Sequence, residues 1–187
     1  MNIIVGITGA TGVIYGVRLL EAFKKIKNLE THLIISDNAR EIIPHETSMK
    51  VKKVEKLASK TYDINDLSAA ISSGSCQRDA MVIAPCTIKT MSLIANSINL
   101  NLLVRAADVT LKERKPLILM VRETPLHYGH LKSMLQLTEM GAIIMPPNPV
   151  FYHKPETIDD IIKPSIGRIL DILELPNKLV KRWEGLR

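Results

Sequence analysis

With 187 residues, 46% of them hydrophobic, and a formal net charge of +6, the chain is long enough for one domain with a sizeable core. Only 4% of the residues are aromatic, so that core must rest on Ile, Leu, Val, Met and Ala. Two cysteines, Cys76 and Cys86, exclude a disulfide framework; no apolar run is long enough to span a bilayer and no basic leader precedes the first strand, so a cytoplasmic protein without a membrane partner is expected.

The opening stretch organises the rest. Ile3, Ile4, Val5 and Ile7 form a β-branched strand that gives way to Thr8-Gly9-Ala10-Thr11-Gly12, and a helix with Val13, Gly16, Leu19, Leu20 and Phe23 on one face follows. Glycines permit a tight turn, and a helix beginning there points unpaired N–H groups at whatever sits above it, which makes a phosphate seat. The spacing Gly-x-x-Gly-x-x-x-Gly is looser than a dinucleotide fingerprint.

A second strand, 31–35, ends at Ser36-Asp37, either of which can cap the helix running to Ile43, where Pro44 interrupts the pattern. A basic helix around 51–58 carries Lys52, Lys53 and Lys56. With Lys24, Lys25 and Lys27 these read as solvated helix faces; without interleaved aromatics no nucleic-acid partner is expected. Residues 62–74 are the least regular, with Ser72-Ser73-Gly74-Ser75 as a loop. The apolar run 80–86 suits a buried parallel strand and leads through Pro85-Cys86-Thr87 into a helix over 88–98. A helix over 102–115, a strand over 116–121 and a helix over 126–140 follow, the last capped by Thr124 with Pro125 at its first position and stopped by Gly141. A short strand at 142–145, an extended loop through Pro146, Pro147 and Pro149, and a last helix over 158–173 complete the pattern. A single domain over 1–175 and a basic tail over 176–187 containing Trp183 are expected.

Alternating strands and helices specify an α/β fold, a parallel sheet with helices on both faces. Right-handed crossovers put every strand-to-helix turn on one edge, where such folds bind ligands. The turns at 9–12, 36–37, 85–90, 122–125 and 146–152 should therefore converge. Thr8, Thr11, Ser36, Thr87 and Thr90 supply neutral donors, and Arg122 a planar cation for a phosphate or a ring carbonyl. Arg105, Lys112 and Arg168 are further cations, and Glu46 and Glu123 are candidates for proton transfer. His127 and His130 share a spacing that can place two imidazoles on one helix face, but no third ligand signature accompanies them and no metal is expected. Cys86 reads as a buried thiol rather than a nucleophile.

GITGATGVIYG, SSGS, APCTIKT, LLVRAADVTLKERKPLILMVRETPL, GAIIMPPNPVFY and the late Arg168 resemble the UbiX-type flavin prenyltransferases, formerly called aromatic-acid decarboxylase subunits. The likeness runs from Ile3 to Asp171 and departs at Thr11, where many members have serine. It implies a three-layer α/β/α, Rossmann-like (flavodoxin-like) subunit that binds FMN and assembles into a homododecamer. It implies transfer of a dimethylallyl group from dimethylallyl monophosphate to N5 and C6 of reduced FMN, giving the prenylated flavin used by a UbiD-type decarboxylase. By position, Gly9, Ala10, Thr11, Ser36, Thr87, Ile88, Lys89, Thr90 and Arg122 hold FMN, and Tyr152 and Arg168 bind the allylic phosphate. Arg105, Lys112, Glu46 and Glu123 form the remaining polar wall, and either Glu123 or the released phosphate accepts the C6 proton.

Three other readings fit the pattern less well. A flavoprotein that decarboxylates peptidyl or pantothenoyl cysteine uses a histidine and a PxMN-type loop where this chain has Ser72-Ser73-Gly74-Ser75 and Pro147-Asn148-Pro149. A flavin carrier needs the turns but not Arg105, Lys112, Tyr152 and Arg168 together. A nicotinamide enzyme is disfavoured by the incomplete glycine fingerprint.

Overall fold

The computed structural model describes residues 1–179, 182 and 185, so Trp183 of the expected tail lies outside the described residues. Six strands form one sheet: β1 (Asn2–Ile7), β2 (Glu30–Ile35), β3 (Lys60–Tyr62), β4 (Ala80–Cys86), β5 (Leu117–Val121) and β6 (Ile143–Ile144). Every pairing is parallel and the order is β3-β2-β1-β4-β5-β6. Chain order therefore reverses between β1 and β4, and that switch point opens a crevice at the carboxyl edge of the sheet.

Alternation along the strands loads both faces. Ile4, Ile34, Met81, Ile83, Leu117 and Leu119 pack on α4 (Ile88–Ala95), α5 (Leu102–Lys112) and α6 (Tyr128–Glu139) through Met91, Ile94, Leu103, Ala106 and Leu137. The opposite face receives α1 (Val13–Phe23). Gly16 of that helix is pressed so close that an added Cβ would collide with the Ala84 carbonyl and lie 2.8 Å from Ile7 Cγ1. Helices on both faces of a parallel sheet are the three-layer architecture expected from the pattern.

Two further helices, α2 (Asp37–Glu46) and α3 (Val51–Glu55), lie between β2 and β3. The chain divides into two compact units, 1–146 and 147–187, the first holding the whole sheet. The second holds α7 (Ile158–Ile172), which begins in a reciprocal capping box between Thr157 and Asp160. Within that unit the Asp171 carboxylate takes both Arg182 terminal nitrogens, at 2.6 and 2.8 Å, and Asn177 at 2.9 Å.

Three details differ from the sequence pattern. α2 continues through Pro44 to Glu46, because the proline sits in its final turn, where little helix remains to be broken. α6 begins at Tyr128 with His127 as its cap, not at Pro125; the Thr124–Pro125 peptide is cis, as is Ala84–Pro85. β3 falls between the basic helix and the irregular stretch, sharing only Tyr62 with the latter, and its three residues are too few and too exposed to show a pattern.

Candidate active site

The carboxyl ends of β1 and β4 are sewn together by Thr8. Its hydroxyl donates to the Pro85 carbonyl at 2.8 Å and accepts from the Thr87 N–H at 2.9 Å. Thr87 in turn caps α4, accepting from the Thr90 N–H at 3.2 Å while donating to the Thr90 hydroxyl at 3.0 Å. The Thr90 proton is left to point elsewhere. On the other side, Ser36 receives the end of β2 and caps α2 by accepting from the Ala39 N–H at 3.2 Å. Asn101 caps α5, accepting from the Val104 N–H at 3.0 Å. Gly9 lets the first turn press on α2: a Cβ there would collide with that of Asn38.

These groups line one cavity of about 500 Å³ bordered by Thr8, Gly9, Ser36, Thr87, Lys89 and Thr90. Three helix N-termini, those of α2, α4 and α5, open towards it, each bringing unpaired N–H groups and a partial positive charge. Ile64, Leu93, Leu100 and Leu103 supply an apolar wall. Hydroxyls and helix termini suited to a phosphate, beside an apolar surface suited to a flat ring, fit an FMN-sized ligand.

The glycine turn expected to seat an anion already holds one carboxylate at its far end. The start of α1 is occupied: the Glu46 carboxylate accepts from the Gly12 N–H at 2.7 Å and the Val13 N–H at 3.3 Å. A carboxylate thus takes those two N–H groups, and the helix starts that border the cavity are those of α2, α4 and α5. Glu46 thus meets the glycine turn through one carboxylate oxygen, Oε2. Gly9 lines the cavity, whereas Ala10, Thr11 and Ile88 belong to the same turns but not to its lining.

Arg122 and Glu123 follow β5 at the same edge. The Arg122 N–H donates to the Cys86 carbonyl at 3.1 Å, and Glu123 Oε1 accepts from the Thr124 N–H at 2.9 Å; both side chains are exposed. Arg105 is half-buried on α5, with Nε donating to the Ser72 carbonyl at 3.1 Å and Nη1 paired with Asp108 at 3.0 Å. Lys112 lies elsewhere. It pairs with Glu113, which borders a cleft with Asn2, Asp79 and Lys115, residues at the amino ends of β1, β4 and β5. Within its own chain Lys112 is thus at the edge of the sheet opposite the cavity. Tyr152 and Arg168 belong to the second unit, where both are exposed.

Burial pushes the Cys86 thiol far above its ordinary pKa, so it stays protonated and offers no thiolate nucleophile. The His127 and His130 rings lie tilted by 35° with centroids 3.6 Å apart. Among the described residues no group of three His, Cys, Asp or Glu is placed to hold a metal, and no helix is long and apolar enough to cross a membrane.

A flavoprotein family model matches residues 1–180. A flavin prenyltransferase UbiX of Thauera aromatica is 53% identical over 185 residues, covering 99% of this chain and 95% of that protein. The crystal structure of AnUbiX (PadA1) in complex with FMN and dimethylallyl pyrophosphate superposes with a TM-score of 0.97 at 43% identity, covering 100% of this chain and 98% of that one. A dodecameric FMN-dependent UbiX-like decarboxylase from Escherichia coli O157:H7 gives 0.97 at 44% identity, covering 99% and 100%.

The chain belongs to the UbiX-type flavin prenyltransferase family of flavoproteins.

Several cavity residues lie outside the sequence expectation: Asn38, Ile64, Asn65, Leu93, Leu100 and Asn101. Ile64 and Asn65 come from an irregular stretch whose position is fixed at long range, by the Leu102 N–H donating to the Ile64 carbonyl at 2.8 Å. Asn101 did carry a signal. An asparagine just before an apolar helical run is a cap, and a capped helix start on this edge belongs to the crevice.

Proposed function

We infer that this chain is a flavin prenyltransferase that joins a dimethylallyl group to reduced FMN and so makes prenylated FMN for a UbiD-type decarboxylase. The observation that carries the reading is the FMN-sized cavity at the β1/β4 switch point, in a chain 53% identical to a flavin prenyltransferase. FMN in its reduced form supplies the nucleophilic N5 and C6.

The protein's part is to bind, orient and neutralise. Gly9, Ser36, Thr87, Lys89 and Thr90 hold FMN, with Ala10, Thr11 and Ile88 shaping the turns behind them and Arg122 at the cavity's edge. Arg105, Lys112, Tyr152 and Arg168 bind the phosphate of dimethylallyl monophosphate and stabilise the charge it gains as the allylic C–O bond breaks. Glu123 or the released phosphate takes the proton from C6. Glu46 acts through the glycine turn that it caps. A metal is not called upon.

Lys112 reaches such a site only from another copy, so we assign the active site to an interface of a cytoplasmic homo-oligomer, a dodecamer by likeness to the Escherichia coli relative. Support comes from α6, where Tyr128 (78% exposed), Leu131 and Leu135 (61%) fall on one helical face as an apolar stripe. The test is anaerobic incubation of the protein with reduced FMN and dimethylallyl monophosphate, with dimethylallyl pyrophosphate in parallel, followed by mass spectrometry of the flavin. The expected product is FMN enlarged by one dimethylallyl unit, formed with the monophosphate. A flavin carrier returns FMN unchanged, and that result overturns the reading.

A further inference from the structure

Arg78 is a cation in an odd place. It lies between the 3₁₀ turn (Ala70–Ser72) and β4, only 5% exposed. Its partners are backbone carbonyls: Nη1 donates to Ile71 at 3.0 Å and to Ala106 of α5 at 3.5 Å, Nε to Cys76 at 3.3 Å, and Nη2 to Ser73. Burial draws its pKa down, with Cys76 and Glu113 opposing the shift and Arg105 adding to it. Filling space would need only a leucine or methionine, and a desolvated guanidinium is a costly substitute unless its fork of donors is used. Here the fork gathers three carbonyls of the 71–76 loop and one from the middle of α5.

That loop touches both cations of α5 assigned to the allylic phosphate. The Ser72 carbonyl receives Arg105 Nε at 3.1 Å. Gly74 lies against the Lys112–Glu113 pair so closely that an added Cβ would meet the Glu113 carboxylate and stand 2.6 Å from Lys112 Nζ. The loop thus meets α5 at Arg105, at Lys112 and, through Arg78, at the Ala106 carbonyl between them.

We propose that Arg78 is a positioning residue for prenyl transfer: it ties the 71–76 loop to α5 and thereby fixes where Arg105 and Lys112 present their charge. The proposal rests on the reading that those two cations bind the substrate's phosphate. The cavity assigned to FMN takes only the start of α5, Asn101 and Leu103, so cofactor binding and use of the allylic substrate should separate.

The experiment compares full-length wild type, Arg78→Lys, Gly74→Ala and Arg105→Ala by thermal unfolding, equilibrium dialysis against FMN, and steady-state prenylation with varied dimethylallyl monophosphate. Lysine keeps the charge but lacks the fork. Arg78→Lys is expected to hold FMN within about twofold of wild type while KM for the monophosphate rises about tenfold, the loss of roughly one charge-assisted hydrogen bond. A merely structural role would lower the melting temperature and FMN affinity and leave KM of the folded protein unchanged; that pattern overturns the proposal. If Arg78→Lys does not fold, Gly74→Ala disturbs the same loop-to-helix contact without touching Arg78: raised KM with FMN binding intact supports the proposal, and unchanged KM overturns it. Should wild type fail to prenylate, or Arg105→Ala keep its KM, the underlying reading falls and this proposal with it. Should Arg105→Ala raise KM while Arg78→Lys does not, only the role of Arg78 falls.

Discussion

Thr8 shows how a buried hydroxyl can build a site without being its most obvious ligand. It is 2% exposed and satisfies an acceptor in the Pro85 carbonyl and a donor in the Thr87 N–H at once. Valine has nearly the same shape but neither hydrogen bond, so Thr8→Val leaves the Thr87 N–H unpaired, while the Pro85 carbonyl keeps the Thr8 backbone N–H at 3.2 Å. A buried group left unpaired costs about 1–3 kcal/mol. Urea unfolding should therefore show a loss in that range, with FMN affinity falling as the Thr87 turn loosens; a variant with unchanged midpoint and affinity would show that the turn holds itself. Glu46 is the residue least legible in the sequence. Ser36 and Thr87 announce themselves because a capping side chain sits beside the helix it caps. Glu46 caps a helix whose first residue lies 33 positions earlier, and no local pattern connects them. Glu46→Ala is expected to cost about 1 kcal/mol in the same assay, the usual value of a lost cap. It should leave FMN binding in place, because the cavity is bordered by the starts of α2, α4 and α5 rather than that of α1.

At the scale of elements, legibility followed length and burial. β1, β4 and β5 are largely apolar runs of five to seven residues and stand out on hydrophobicity alone, and β2 does so through its second half, Leu33, Ile34 and Ile35. Gly141 was readable as a helix stop, and it adopts φ 96°, a left-handed conformation that suits glycine. β3 was not readable, because cross-strand pairs rather than its own sequence hold it to β2. Lys60 pairs with Glu30 at 2.8 Å, and the Tyr62 hydroxyl meets His32 Nδ1 at 2.8 Å. That edge carries a pH dependence. Burial lowers the pKa of His32; Glu30, 3.9 Å from Nε2, opposes the shift, while Lys60 and Arg78 reinforce it. The unfolded chain therefore takes up a proton on this imidazole more readily than the folded one. His32 contributes stability in full above its unfolded pKa of about 6.5, and the contribution is lost as pH falls through the folded value. Urea midpoints measured at decreasing pH from neutrality should decline, and His32→Gln should decline less steeply. An equal slope in the two proteins would assign the acid sensitivity to other groups.

The whole molecule poses a question that one chain does not answer. α5 brings Asn101 and Leu103 to the cavity, and Lys112 lies at the helix's far end, beside residues from the amino edge of the sheet. Nine residues of helix separate Leu103 from Lys112, about 13 Å along the axis at 1.5 Å per residue. No side-chain motion carries Lys112 around to its own crevice. The motif around it could be matched from sequence, but which copy it serves could not, because periodicity reports only a residue's own helix and sheet. If Lys112 binds the allylic phosphate as proposed, two inactive variants should rescue each other. Lys112→Ala keeps a sound FMN cavity and lacks the cation. Gly9→Val loses the cavity, since even a Cβ at position 9 collides with Asn38, yet keeps Lys112. Co-expressed in equal amounts under two affinity tags and purified through both, they form mixed assemblies. Random mixing in a closed symmetric oligomer joins a sound cavity to a sound Lys112 in about a quarter of the sites. Prenylation should return to about that fraction of the wild-type rate, although either variant alone is inactive. A cavity completed by its own Lys112 would gain nothing from the mixture, and mixed assemblies as inactive as their parents would return the whole site to a single chain.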